Sequence, residues 1–143
     1  MSIRSWLKDR GENQLRNAMH NALPHVIEEC QYIDRHGPHL GRWRTADLKV
    51  ELERLFDAST SAVLWPSEVL AILAPYLADP ERLGPTATAT LRQLAEFVAH
   101  GPRRPVGVAP WTWRRQLLTQ DSEDGPALWR SILTQSTTKE PRP

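Results

Sequence analysis

Leu15-Arg16-Asn17-Ala18-Met19-His20-Asn21-Ala22-Leu23-Pro24-His25-Val26-Ile27-Glu28-Glu29-Cys30 carries the period that decides the fold. Leu15, Met19, Leu23, Ile27 and Cys30 recur every three to four residues, with Val26 and Ile33 beside them. That spacing puts them on one face of an amphipathic helix over roughly 12–35. Pro24 falls inside this helix, where it supplies no N–H and crowds the preceding turn, so the reading places a kink or restart there. His36-Gly37-Pro38 ends it, with Gly37 suited to a left-handed cap. Upstream, Ile3, Trp6 and Leu7 predict a separate helical turn, broken near Gly11.

The same pattern continues downstream. Thr45 reads as an N-cap, with Asp47 complementing the helix start. Leu48, Leu52, Leu55 and Phe56 then form a second stripe ending near Ser59-Thr60-Ser61. Pro66 suits the first turn of a third helix, whose stripe is Val69, Leu70, Leu73 and Leu77 and which Pro75 kinks or stops. Asp79 to Gly84 reads as one capped turn, and Thr86 to His100 as a fourth helix with Leu91, Leu94 and Val98 inward. Gly101 to Pro110 is a stiff, basic connector. Two short helices are expected after it. One starts at Pro110 with Trp113, Leu117 and Leu118, and the other follows Pro126 with Leu128, Trp129, Ile132 and Leu133. The 113–120 and 129–135 segments echo each other, an echo too short to define a repeat. Ala62-Val63-Leu64-Trp65 is a strand-like run too short to build a sheet. The fold class is therefore all-α: one domain over 1–135 of about five to six short helices punctuated by Pro and Gly, with a disordered tail over 136–143.

Composition agrees with that picture. The 143 residues are 40% apolar and 24% charged, which suits a folded domain and argues against wholesale disorder. The lone Cys30 can form no internal disulfide. Charge arrives too early at the N-terminus for a secretory signal, and no apolar run reaches membrane-spanning length. The expectation is a cytoplasmic protein. Net charge is +1 but uneven: seven basic and five acidic residues over 1–44, four and eight over 45–100, and seven and four over 101–143.

His20, His25, Cys30, His36 and His39, with Glu28 and Glu29, are the residue types that zinc and iron accept, but their spacing matches no finger or ribbon. Cys30 lies on the apolar stripe beside two glutamates, a setting that disfavours a thiolate nucleophile. No glycine-rich phosphate loop is present. The reading therefore assigns no catalytic, metal or cofactor residues. Six tryptophans are the unusual count, and several sit beside arginine. Trp6, Trp65, Trp113 and Trp129 are assigned to the core, and Trp43 and Trp111 are left open. Arg42, Trp43, Arg44, Arg103, Arg104, Trp111, Arg114 and Arg115 are the candidate partner-binding residues, since Trp and Arg dominate binding hot spots and also suit single-stranded nucleic acid. Arg103, Arg104, Arg114 and Arg115 are expected to form one exposed basic ridge near Trp111. The function expected is a non-enzymatic helical interaction protein: an adaptor, a regulatory partner or a subunit, binding a protein or a second copy of itself. Nucleic-acid binding through those arginines, with Arg130, is the alternative, and a small metal-dependent enzyme or sensor comes third.

Overall fold

The computed structural model describes residues 2–37 and 42–119. Six helices lie among them: α1 (Ile3–His36), α2 (Arg42–Ser59), α3 (Pro66–Leu77), α4 (Pro80–Leu83), α5 (Pro85–His100) and α6 (Pro110–Thr119). The expected helix after Pro126, with Trp129, and the expected tail over 136–143 lie outside the described residues. No described helix is long and apolar enough to cross a membrane.

The first stripe is inward, with Met19, Leu23, Val26 and Cys30 buried. α1 is nevertheless longer than its stripe predicts, running unbroken through Gly11 and Pro24 for 34 residues, about 51 Å. Pro24 is tolerated because it and His20, whose carbonyl loses its helical partner, both face solvent. Gly11 costs the helix about 1 kcal/mol relative to alanine. The ion pair of Arg16 with Glu12, one turn on, offsets part of that cost. Gly37 closes the helix as expected, with φ 89° and its N–H donating to the Ile33 carbonyl at 2.7 Å.

α2 begins at Arg42, so Thr45 is not the cap but lies inside the helix. No helix-breaking residue separates Arg42 from the Leu48 stripe, and the helix extends back to Arg42. Leu52, Leu55 and Phe56 are buried in the core, with α2 packed on α1 and Phe56 meeting Phe97 of α5 at 5.2 Å between centroids. Asp79 caps α4 as the sequence predicts, its Oδ1 accepting from the Arg82 N–H at 3.2 Å. Gly84 is required twice over: its φ is 92°, and a Cβ there would lie 2.6 Å from an Asp34 carboxylate oxygen. α5 supplies the central buried face, with Ala87, Leu91, Leu94 and Val98. Thr90 is also buried there and donates back to the Thr86 carbonyl at 2.8 Å.

α6 is held by aromatic packing. Trp113 stacks on Phe56 at 5.8 Å between centroids and meets Phe97 edge-on at 6.3 Å. This bears out Trp113 as core. Trp65 and Trp6 are corrections, being 74% and 50% exposed. Trp65 is the extended residue before Pro66, so its side chain leaves the chain at the helix entrance rather than on the Val69–Leu73 face. Trp6 lies on the part of α1 that precedes Met19, the first buried side chain among the described residues.

The connector is not a free spacer. Arg104 N–H donates to the Thr60 carbonyl at 2.7 Å, and Ala62 N–H donates to the Arg104 carbonyl at 2.9 Å, closing an isolated parallel bridge. The Arg103 guanidinium donates to three carbonyls, those of Ser59 (2.8 Å), Ser61 (2.6 Å) and Leu64 (2.6 Å). A charged donor to a carbonyl contributes about 1.5–3 kcal/mol, and buried carbonyls left unpaired cost similar amounts. Arg103→Ala should therefore lower the unfolding free energy by about 3 kcal/mol or more in urea denaturation. Arg115→Ala, at an exposed position, should change it by less than about 0.5 kcal/mol. A loss below about 1 kcal/mol for Arg103→Ala would refute the clamp.

Candidate functional site

The arginines singled out in the sequence separate into two groups once folded. Arg103 and Arg104 are partly buried and turned onto backbone. Arg104 Nη1 donates to the Val108 carbonyl at 2.9 Å and Nη2 to the Asp57 carbonyl at 3.3 Å. Burial lowers the pKa of the Arg103 guanidinium from its ordinary value. Arg114 is buried, with Nη1 2.8 Å from Glu53 Oε2 and Nε 3.5 Å from Asp57 Oδ1. These are ion pairs without hydrogen-bond alignment, since Arg114 Nε and Nη1 and Asp57 Oδ1 are buried with no aligned partner. Arg115 is exposed and lies over the Trp111 ring at 4.8 Å, a cation–π contact. The expected single ridge of four exposed arginines is thus corrected. Three of the four are turned into the fold: Arg103 onto carbonyls of the α2–α3 turn, Arg104 onto the carbonyls of Asp57 and Val108, and Arg114 onto the carboxylates of Glu53 and Asp57. Arg42, Trp43 and Arg44 fall in the first turn of α2, and their side chains lie outside the described residues.

The histidine–cysteine group does not converge. His20, His25 and His36 are exposed along α1 while Cys30 is buried. His39 lies outside the described residues. Among the described residues no three His, Cys, Asp or Glu side chains form a metal-holding group. The Cys30 thiol is pushed up to about 11, mainly by burial, against a lowering contact with the Thr90 hydroxyl, with Asp34 and Glu29 adding to the rise.

A different feature emerges between α1 and the α3–α4 run, which sequence reading did not identify. The two run side by side in the same direction. Three polar contacts set the register: Arg16 with Glu68, Gln31 Nε2 with the carbonyls of Arg82 and Leu83 (both 3.3 Å), and Thr86 with Asp34. The partner is 51 or 52 residues further on each time. Pro24 therefore stands level with Pro75, and Glu28 with Asp79. Between the end contacts lies an open slot of about 480 Å³, with Ile27, Tyr76 and Leu83 among its apolar lining and Glu28, Asp79 and Arg82 at its mouth. That volume falls within the range of ligand pockets. Both mid-helix prolines were legible as helix perturbations. Nothing local marks them as facing one another.

Compared with protein-family models, curated proteins and solved structures, the chain matches none at a significant level.

Burial raises the pKa of Asp57 from 3.8 to about 6, against lowering by Arg114 and Arg104, with Glu53 adding to the rise. Between these values the folded chain keeps a proton that the unfolded chain has lost. The contribution is fully present below about pH 4 and is lost as pH rises through about 6. Asp57→Asn removes this dependence. The stability of the native chain relative to the variant should fall by roughly 2–3 kcal/mol between pH 4 and pH 7, measured by denaturation at each pH. A difference that is flat with pH, or rises, would contradict the buried carboxyl.

Proposed function

We propose that this chain is a non-enzymatic helical interaction protein, acting in the cytoplasm as an adaptor, regulatory partner or subunit and binding another protein. The observation that carries the reading is Trp65. Its backbone is fixed on both sides. The Leu64 carbonyl is held by Arg103, and the Trp65 carbonyl accepts from the N–H groups of Glu68 (3.0 Å) and Val69 (3.1 Å). The side chain is left 74% exposed. Tryptophan is normally well buried, and it is among the residues most enriched where binding energy concentrates. A rigidly mounted, exposed indole loses little conformational freedom when a partner covers it.

The inward turn of Arg103, Arg104 and Arg114 favours this reading over nucleic-acid binding. Phosphate recognition draws on guanidinium groups that can exchange solvent and counterions for phosphate. These three already serve carbonyls and carboxylates.

Tagged protein incubated in nuclease-treated extract should retain a protein partner in stoichiometric amount. Trp65→Ala should abolish retention while leaving the melting temperature within about 2 °C, because the indole contributes little to the core. At about 150 mM salt, binding to DNA or RNA should stay in the weak, non-specific range. Submicromolar nucleic-acid binding, or partner retention indifferent to Trp65→Ala, would overturn the proposal.

A further inference from the structure

The slot between α1 and the α3–α4 run has three properties that point to one kind of occupant. Its walls are apolar at Pro24, Ile27, Pro75 and Tyr76. Its lining on α1 spans residues 24 to 31, about 10 Å of helix, room for one large side chain and its neighbours in an extended segment. Its mouth carries two carboxylates, one from each wall, against the single guanidinium of Arg82. No ion pair joins Glu28 or Arg82 to another described residue. Asp79 uses one oxygen to cap α4 and keeps the other.

We infer that the slot is a peptide-binding site for a partner segment that presents a large apolar side chain with a lysine or arginine beside it. The apolar side chain enters between Ile27 and Tyr76. The adjacent cation meets Glu28 and Asp79. This rests on the interaction-protein reading but uses a surface defined by other residues than Trp65.

The test uses the full chain and fluorescein-labelled heptapeptides, read by anisotropy. One peptide has leucine-tryptophan-arginine-lysine at its centre. A second replaces the basic pair by glutamates, and a third replaces the apolar pair by serines. The first should bind about tenfold more tightly than either control, a difference of about 1.4 kcal/mol. Glu28→Lys, at an exposed position, should remove that preference and shift it toward the acidic peptide, with the melting temperature unchanged. Amide shifts in NMR titration should fall on residues 24–31 and 75–83. Equal affinity for basic and acidic peptides, indifference to Glu28→Lys, or shifts located elsewhere would overturn the assignment. So would phenethylamine binding as tightly as the first peptide, since a small amine would then account for the slot. A slot that binds no peptide while Trp65→Ala still abolishes partner retention would refute this inference alone. The reverse pattern would refute the Trp65 reading alone.

Discussion

Where α2 ends, the carbonyls of Ser59, Ser61 and Leu64 converge on the guanidinium of Arg103. The turn from α2 to α3 has no sheet and no continuing helix to satisfy its backbone, and a buried unpaired carbonyl is costly. One planar cation with five donors can serve several acceptors at once, which a lysine could not do in the same geometry. The consequences run in both directions along the chain. Upstream, the clamp fixes where Trp65 leaves the turn and where α3 starts. Downstream, it ties the connector to α2 and so sets the position from which α6 begins. α6 then delivers Trp113 to the Phe56–Phe97 pair and Arg114 to Glu53 and Asp57.

Much of the architecture was legible because apolar period and helix punctuation are local signals. The α1 stripe, the Gly37 cap, the Asp79–Gly84 turn and the α5 face could be read directly. What failed depended on distance. Arg103 and Arg104 sit among Gly and Pro, a composition that reads as exposed connector, and nothing nearby in sequence reveals carbonyls some forty residues upstream. Trp65 is expected in the core, yet it is exposed. Pro66 instead fixes the preceding residue in an extended conformation that points it away. Gly11 reads as a break and Pro24 as a kink or restart, yet α1 is continuous through both, with Pro24 on its exposed face.

The same distance problem bears on the candidate site. Counting arginines beside tryptophans grouped Arg103, Arg104, Arg114 and Arg115 as one surface. Of these, Arg115 alone is exposed, and it is already paired with Trp111. Arg114 illustrates why charge in sequence is a poor guide to charge on a surface. Its ion pairs are buried, so their value lies in fixing how α6 meets α2 more than in net stability. Removing either partner would leave an uncompensated charge, which makes the pairing specific even where it is not strongly stabilising.

The α1–α3 slot follows from the same preference for polar contacts over close packing. Two parallel apolar helix faces would ordinarily close on each other to the usual 8–10 Å. Here the Arg16–Glu68 pair at one end and the Gln31 amide at the other bridge the walls with long polar side chains. Between those bridges each helix presents a proline ring, and two opposed rings cannot interdigitate as a small residue and a large one would. α1 and α3 each pack on α5, and are not among the closely contacting pairs of described elements. Ile27 and Tyr76 are consequently left half-buried along a mouth that carries carboxylates. Closing the slot would bury Glu28 and Asp79 against each other, like charges in a low-dielectric setting, so collapse is opposed electrostatically as well as sterically. An occupant bringing both apolar surface and a positive charge relieves both constraints at once, and an uncharged apolar one relieves only the first.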